Sequence, residues 1–196
     1  MNLLQNIDKY KIILASQSPR RIELLNGLNI KFEVQVLDVN EDFPAQMVGV
    51  DIPMYLAEKK ANAYKHIMDE HTMIITADTI VWHEGKVLGK PVDETDARRM
   101  LRALSGKTHQ VITGVCISTL QRRKVFHVIS DVRFARLAEV EIEYYLQNFK
   151  PYDKAGSYGV QEWIGFVGVE HINGSYFNVM GLPVQRLYNE LKRWKE

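Results

Sequence analysis

The chain has 196 residues and a formal net charge of +1, with 25 lysines and arginines against 24 acidic residues. This balance predicts no stable nucleic-acid partner, because proteins that bind nucleic acid non-specifically usually carry a strong basic excess. Hydrophobic residues make up 46% of the sequence and charged residues 25%, as in an ordinary globular protein. The length suits one domain over residues 1–196, which we expect to be bilobed.

Cellular location is predicted from the cysteine content and the apolar runs. Cys116 is the single cysteine, so neither an internal disulfide nor a cysteine pair for zinc is possible. It lies in the apolar run VITGVCI, which predicts a buried strand residue rather than a nucleophile. The first residues, MNLLQNIDKYK, do not resemble a secretory signal, and no apolar run reaches membrane-spanning length. We therefore expect a cytoplasmic protein with no membrane partner.

Strands and helices alternate in the first part of the chain. The run KIILAS predicts an interior strand, because its apolar residues point to both faces. A helix is predicted next, with Ser18 as N-cap and Pro19 at its first position. A strand, a polar loop and a helix with a lysine-rich exposed face are predicted to follow: FEVQVLDV, NEDFPAQMVGVDIP and MYLAEKKANAYKHIMDE.

Hairpins dominate the later part of the chain. MIITADTIVWHEGKVL predicts two strands and a turn, and DETDARRMLRALSG predicts an amphipathic helix closed by Gly106. Two antiparallel strands, a helix and a hairpin turning at Asn173-Gly174 are predicted next: HQVITGVCISTL, KVFHVISDVRFARL, EVEIEYYLQNF and VGVEHINGSYFNVMG. Pro183 begins a last helix. This order indicates an α/β fold with a mixed, twisted sheet and flanking helices.

Two arginines occupy the first turn of the helix that follows Ser18. Arg20 and Arg21 are mildly unfavourable there, because the helix dipole is already positive, so a bound anion is the natural explanation. The hydroxyl of Ser16, backbone N–H groups and two guanidinium forks could together bind phosphate oxygens. The alternative is a capped helix with solvated arginines, and this stretch alone does not decide between the two.

Asp78 interrupts the apolar run IITADTIV. A carboxylate in such a strand is costly unless it is paired, bound to a metal, or placed at a strand end that faces a cleft. Thr79 beside it could line such a cleft. A structural aspartate at a bulge is the alternative, but buried carboxylates are disproportionately functional, which favours a role in chemistry.

Weaker candidates are scattered along the chain. Glu41, Lys60 and Lys90 each resemble ordinary surface charges, and Lys90 is the best of them because glycine and proline flank it. The glycine-rich stretch PYDKAGSYGVQ could approach a ligand closely, and its Gln161 could contact a base edge. A surface turn is the alternative for this stretch.

Five blocks of the sequence are informative when they are taken together and in order. They are LASQSPRRIELL, ITADTIV, LGKPVDETDARRMLRALSGKTHQVITGV, DKAGSYGVQ and INGSYFNVMGLP; they run from Leu14 to Pro183, within a likeness that covers roughly Ile12 to Leu191. Together they resemble the Maf family of nucleoside triphosphate pyrophosphatases. The resemblance implies a bilobed α/β fold with one active-site cleft between the lobes, similar to the inosine-triphosphate pyrophosphatase fold. It also implies a cytoplasmic homodimer that uses a divalent metal.

The resemblance implies a role for each candidate residue. The phosphate-binding residues would be Ser16, Arg20, Arg21, Lys60 and Lys90. The proton acceptor would be Asp78, and the ligands of Mg²⁺ or Mn²⁺ would be Glu41 and Asp78. The residues that set base specificity would be Arg20, Thr79 and Gln161.

The block DKAGSYGVQ is similar to the branch of the family that acts on dTTP and UTP. The branch that acts on 7-methyl-GTP carries a cysteine-containing block like CAGSFKSEG instead. The chain departs from the pattern at Glu162, where a glycine often follows the glutamine.

The implied reaction is hydrolysis of dTTP, UTP and modified pyrimidine nucleotides to the monophosphate and pyrophosphate, as housekeeping of the nucleotide pool. One alternative is a non-catalytic nucleotide or nucleic-acid binding protein that acts in cell-division control. Another is a phosphomonoesterase, which would release orthophosphate instead of pyrophosphate.

Overall fold

A computed structural model gives the fold, and it describes residues 3–195. The strands are β1 (Lys11–Leu14), β2 (Glu33–Val34), β3 (Thr72–His83), β4 (Lys86–Leu88), β5 (Thr108–Ser118), β6 (Arg123–Phe134) and β7 (Val169–Asn173). The α-helices are α1 (Pro19–Asn26), α2 (Asp51–Ala63), α3 (Glu94–Leu104), α4 (Glu139–Phe149), α5 (Trp163–Gly168), α6 (Tyr176–Met180) and α7 (Val184–Lys192). Short 3-10 turns lie at Gln5–Ile7, Lys65–Ile67 and Ala155–Ser157.

Within the described residues, seven strands form one mixed sheet in the order β2-β1-β3-β5-β6-β7, with β4 paired to β3. Strand β1 pairs in parallel with β2 and with β3, whereas β4 is antiparallel to β3 and β7 is antiparallel to β6. The predicted mixed α/β class is therefore confirmed. Within residues 3–195, no helix is long and apolar enough to cross a membrane.

The predicted strand FEVQVLDV is mostly wrong, because strand pairing with β1 covers Glu33–Val34 and ends with the N–H of Gln35, which donates to the carbonyl of Leu14 at 3.2 Å. Beyond it, the hydroxyl of Tyr64 donates to the carbonyl of Gln35 at 2.8 Å and accepts the N–H of Leu37 at 2.9 Å. A tyrosine side chain thus takes the backbone groups that a longer strand would have offered to β1.

The predicted hairpin at Asn173-Gly174 is wrong. Residues up to Asn173 form β7, but the chain then turns into α6 instead of a returning strand. Gly174 has a φ of +134°, which favours glycine, and the hydroxyl of Ser175 accepts the N–H of Asn178 at 3.2 Å. Ser175 therefore caps a helix, and the chain forms this helix instead of the hairpin that Asn173-Gly174 predicts.

The chain divides into two compact units, and the boundary passes through three of the strands. The first unit comprises Met1–Asp78, Thr113–Val128 and Gly181–Glu196, and the second comprises Thr79–Ile112 and Ile129–Met180. The prediction of one domain over residues 1–196, with two lobes around one cleft, concerns the arrangement of these units and stays a prediction.

In the first unit, small residues let α2 lie close to β5. A Cβ on Gly114 would lie 2.3 Å from the carbonyl carbon of Pro53, so only glycine fits there. Ala57, Ala61 and the fully buried Cys116 pack together in one cluster. The buried strand position predicted for Cys116 is confirmed, and burial raises the pKa of its thiol to about 12.

In the second unit, charged and aromatic groups join the helices and the sheet. Arg98 of α3 pairs with Glu139 of α4 at 2.9 Å and also with Glu94 and Glu143. The rings of His109, Phe134 and Tyr158 pack edge to face, with centroids 4.9–5.4 Å apart.

Candidate active site

The first unit brings two carboxylates onto one lysine. Nζ of Lys60 lies 2.7 Å from Oε1 of Glu41 and 2.6 Å from Oδ1 of Asp78. Lys60 and Asp78 have side chains that are only 15% and 11% exposed, whereas the Glu41 side chain is 49% exposed. The positive charge offsets the cost of placing two carboxylates close together in a partly dry site.

Helix α2 and strand β3 place these groups. Lys60 lies in the last turn of α2, and the hydroxyl of Thr76 in β3 donates to the carbonyl of Ala57 at 2.6 Å. This bond fixes the helix against the strand two residues before Asp78. Asp78 is 8% exposed and paired with Lys60, which is one of the three arrangements expected for a carboxylate in this strand, and its role in chemistry stays a prediction.

The loop that carries Glu41 is held on α2. Asn40 and Asp42 bond to one another, with the Asp42 N–H donating to the Asn40 side chain at 2.6 Å. Nζ of Lys59 donates to the carbonyl of Asp42 at 2.8 Å. Adjacent lysines of one helix therefore contact both the backbone of this loop and the Glu41 carboxylate.

Two arginines begin helix α1, as predicted. Pro19 occupies the first helical position, and Arg20 and Arg21 follow it. Nε of Arg21 donates to the carbonyl of Gly181 at 2.9 Å. Burial lowers the pKa of Arg21, and the negative charge of Asp78 opposes this shift. An arginine nonetheless stays charged, because its pKa in water lies so far above neutrality.

We call Arg20, Arg21, Glu41, Lys60 and Asp78 the charged cluster. Arg20, Asp78 and Glu41 all act electrostatically on Arg21, so the cluster is one neighbourhood within the first unit. It holds three positive and two negative groups, and the surplus is positive. A ligand with several negative charges would complete it.

The predicted capping role of Ser18 is wrong in its chemistry. Ser18 is the N-cap by position, but its side chain makes no capping hydrogen bond. Instead, its N–H donates to Oγ of the buried Ser16 at 3.2 Å. Ser16 thus shapes the turn that leads into α1.

The remaining predicted residues lie in the second unit. Thr79 is half-buried in β3, directly after Asp78, and Lys90 is exposed. The carbonyl of Gly89 accepts the N–H of Gly156 at 3.0 Å, which ties the Lys90 segment to the glycine-rich stretch that precedes Gln161. Whether Thr79, Lys90 and Gln161 act with the charged cluster stays a prediction.

The glycine-rich stretch is not a surface turn. Residues 156–160 are all buried, and Lys154 is only 8% exposed. Oε1 of Gln161 is buried and accepts no hydrogen bond from any described residue. A buried acceptor without a partner is uncommon, and it suits a group that awaits a ligand.

Sequence reasoning missed a set of contacts made by Glu162, the residue that follows Gln161. Glu162 lies 2.9 Å from Nζ of Lys154 and accepts a hydrogen bond from the hydroxyl of Tyr145. The departure at Glu162 from the family pattern was the available signal, but the partners are 8 and 17 positions away in the chain, and no pattern connects them.

The charged cluster also bears on the predicted metal. Within residues 3–195, no group of three or more His, Cys, Asp or Glu side chains could hold a metal ion. Glu41 and Asp78 do converge on the same cation, Nζ of Lys60. Mg²⁺ is commonly held by one or two carboxylates, with waters and substrate phosphates as its other ligands. Two carboxylates fit that pattern.

An α/β sheet with guanidinium groups at a helix N-terminus and two carboxylates on one lysine defines a protein suited to phosphorylated ligands. The chain belongs to the Maf family, since the family described as Maf-like protein matches residues 11–194.

Close relatives carry one common name. A dTTP/UTP pyrophosphatase of Bacteroides fragilis (strain YCH46) is 60% identical over 192 residues, which is 97% of this chain and 100% of that protein. The dTTP/UTP pyrophosphatase of Phocaeicola vulgatus is 59% identical over 97% of this chain and 100% of its own. That of Porphyromonas gingivalis (strain ATCC 33277) is 55% identical over 99% of each.

Solved structures give partial likenesses. The Ham1 protein of Staphylococcus aureus aligns at a TM-score of 0.48 and 16% identity, over 64% of this chain and 72% of its own. A nucleoside-triphosphatase / dITP/XTP pyrophosphatase of Mycobacterium abscessus aligns at a TM-score of 0.43 and 19% identity, over 65% and 75%.

Proposed function

We propose that this protein is a nucleoside triphosphate pyrophosphatase that hydrolyses dTTP, UTP and modified pyrimidine nucleotides to the monophosphate and pyrophosphate. The observation that carries the proposal is the convergence of Glu41 and Asp78 on Lys60, with Arg20 and Arg21 nearby. Membership of the Maf family and the names of relatives at 55–60% identity support the choice of substrates.

In the proposed reaction, water attacks the α-phosphorus, and the bond from that phosphorus to the bridging oxygen breaks. Pyrophosphate leaves, and the nucleoside monophosphate keeps the new oxygen. Such reactions depend on positioning and on neutralising phosphate charge more than on covalent help from the protein. Asp78 would orient the water and accept its proton.

Lys60 would respond to the substrate. Without ligand it neutralises Asp78 and Glu41. Phosphate oxygens would compete for its ammonium, and this competition would free Asp78 to act as a base. Ser16, Arg20, Arg21 and Lys90 would bind the remaining phosphate charge.

Glu41 and Asp78 would also hold Mg²⁺ or Mn²⁺, which suits their hard oxygen ligands. When bound, such a metal supplies positive charge to the phosphates. The base would be recognised by Arg20, Thr79 and Gln161. We further propose, on the family resemblance, a homodimer in the cytoplasm, where the substrate nucleotides are used. Light scattering of the purified protein tests the dimer.

A nucleotide panel with product identification tests the function. Purified protein with Mg²⁺ or Mn²⁺ is incubated separately with dTTP, UTP, dCTP, dGTP and dATP, and pyrophosphate and orthophosphate are measured in parallel. We expect pyrophosphate from dTTP and UTP in amounts equal to the monophosphate formed. Orthophosphate alone would indicate a phosphomonoesterase. Tight nucleotide binding without any product would indicate a non-catalytic binding protein.

A further inference from the structure

Glu162, the residue before α5, joins two groups of the second unit. Its Oε1 lies 2.9 Å from Nζ of Lys154, and its Oε2 accepts a hydrogen bond from the hydroxyl of Tyr145. The Lys154 side chain is 10% exposed and that of Glu162 is 21% exposed. Such a pair is held firmly, because separating it would leave a largely buried charge without this partner.

The hydroxyl of Tyr145 extends the network into the backbone. It accepts the N–H of Gly159 at 3.0 Å, and the N–H of Glu162 donates to the carbonyl of Gly159 at 3.0 Å. Burial and the bond to Glu162 raise the pKa of Tyr145, so its hydroxyl stays protonated and can donate. Residues 159–162 therefore form a turn held by side chains as well as by backbone, which we call the clamped turn.

Within the clamped turn, the Glu162 carboxylate packs closely against Gly159. A Cβ on Gly159 would lie 2.8 Å from Cδ of Glu162 and 3.0 Å from its Oε2. The carboxylate thus occupies the space that a side chain at Gly159 would need. Packing and hydrogen bonds favour the same position of the Glu162 side chain. Together they limit alternative conformations of the turn.

Gln161 lies inside the clamped turn and next to Glu162. Its Oε1 is buried and accepts no hydrogen bond from the described residues. Leaving a buried amide oxygen unpaired is unfavourable, and a ligand that donates to it would recover the lost hydrogen bond. A turn that is rigid before binding lets this amide select a ligand without an added ordering cost.

We propose that Glu162 is a positioning residue, which, held by Lys154 and Tyr145, fixes the clamped turn and thereby directs Gln161 toward the nucleotide base. It acts through Gln161 on the discrimination between pyrimidine and purine triphosphates. This inference rests on the proposed function.

The test compares Glu162→Gln and Tyr145→Phe with the control Glu170→Gln, an exposed acid of β7. Steady-state kinetics are measured with dTTP and dGTP, together with the melting temperature of each variant. We expect the kcat/KM ratio of dTTP to dGTP to fall about tenfold in Glu162→Gln, the scale of one lost hydrogen bond to a charged group. The loss should appear as a raised KM for dTTP with little change in kcat, and the control should match the wild type.

A merely structural role would give a different pattern. Loss of folded protein would lower kcat for both nucleotides alike and would leave their ratio unchanged. If Glu162→Gln does not fold, Tyr145→Phe still tests the network, because it removes one hydroxyl and no charge. An unchanged ratio in the folded variants would overturn the inference.

A second measurement does not depend on activity. Hydrogen exchange of residues 154–162 is followed by mass spectrometry in the wild type, Glu162→Gln and Glu170→Gln. We expect faster exchange of this segment in Glu162→Gln only, and unchanged exchange would also overturn the inference. If the wild type hydrolyses neither nucleotide, the proposed function fails, while the exchange result still decides whether Glu162 fixes the turn.

Discussion

The charged cluster and the clamped turn present polar side chains in opposite ways. In the charged cluster the side chains are held by ion pairs, with Lys60 between Glu41 and Asp78, and the Glu41 side chain is half exposed. In the clamped turn the holding groups are largely buried, and they bond to the backbone of the segment that they support. The first arrangement can be rearranged by an incoming charge, whereas the second is fixed before any ligand binds.

This difference predicts that the charged cluster serves the chemical step and the clamped turn serves recognition. Groups that a substrate can release, such as Lys60 and Asp78, suit the chemical step, because their partners can be exchanged for phosphate oxygens. A segment that is already rigid suits recognition, because it loses little conformational freedom on binding. Mutations of Lys60 and Asp78 should therefore act mainly on kcat, and mutations around the clamped turn should act mainly on KM and selectivity.

The largest effect is expected for Asp78→Asn. The substitution keeps the shape of the side chain but removes the base, so kcat for dTTP should fall about a hundredfold or more. Pyrophosphate release measures the rate, and thermal melting shows whether the fold is kept. Asp51→Asn, at the exposed first turn of α2, is the matched control and should leave kcat unchanged. Full activity of Asp78→Asn would remove the charged cluster from the mechanism.

A smaller effect separates the two arginines. Arg20→Ala should lower kcat/KM for dTTP about tenfold or more, the scale of a lost charged hydrogen bond, with little change in stability. Arg21→Ala should lower activity and also lower the unfolding free energy by about 1 kcal/mol, since it removes the hydrogen bond from Nε of Arg21 to the Gly181 carbonyl at 2.9 Å. Kinetics and urea denaturation of both variants, with Arg99→Ala as control, test this split. Equal loss of stability in both variants would contradict it.

Breaks in the hydrophobic pattern predicted part of the charged cluster. Arg20 and Arg21 stood out at a helix start, and Asp78 stood out in an apolar strand, because each placement is costly unless a partner is present. Glu41 and Lys60 did not stand out, since an acid in a polar loop and a lysine on a helix resemble solvated charges. Their meeting depends on how the loop folds onto α2, and periodicity does not report such contacts.

Periodicity also predicts only part of the fold. Periodicity placed the helices α3 and α4 correctly, because each buries an apolar face of its own sequence. It failed after the N–H of Gln35, where the hydroxyl of Tyr64 takes the next backbone groups, and at Gly174, where the Ser175 cap begins a helix. In both places one side chain, either distant or local, competes for the backbone hydrogen bonds.

Acid should weaken the second unit through His109. Nε2 of His109 lies 2.7 Å from the hydroxyl of Tyr158, and burial, with a smaller contribution from His83, lowers the pKa of His109 to about 3. The unfolded chain binds this proton near pH 6.5, so the stabilising contribution is complete above about pH 6.5 and is lost as the pH falls toward 3. At pH 5 the loss should be about 2 kcal/mol.

Urea denaturation between pH 7.5 and pH 5 measures this loss. His109→Gln should show a shallower decline in unfolding free energy, because it removes the titrating group. The exposed His127→Gln should keep the wild-type decline. Because Tyr158 directly precedes the clamped turn, hydrogen exchange of residues 154–162 should also rise at pH 5 relative to its intrinsic rate. A decline in His109→Gln as steep as in the wild type would show that other groups cause the acid sensitivity.

The smallest effect concerns the loop of Glu41. Tyr64→Phe removes the hydroxyl that bonds Gln35 and Leu37, so the unfolding free energy should fall by about 1 kcal/mol and the melting temperature by about 2–4 °C. Glu41, a proposed metal ligand, follows this segment, so a looser loop should raise the metal concentration for half-maximal activity while saturating metal restores kcat. Tyr188→Phe, in α7, is the control. If the metal requirement is unchanged while stability falls, Tyr64 supports the fold alone, and the contacts of the loop with α2 hold Glu41 without help from Tyr64.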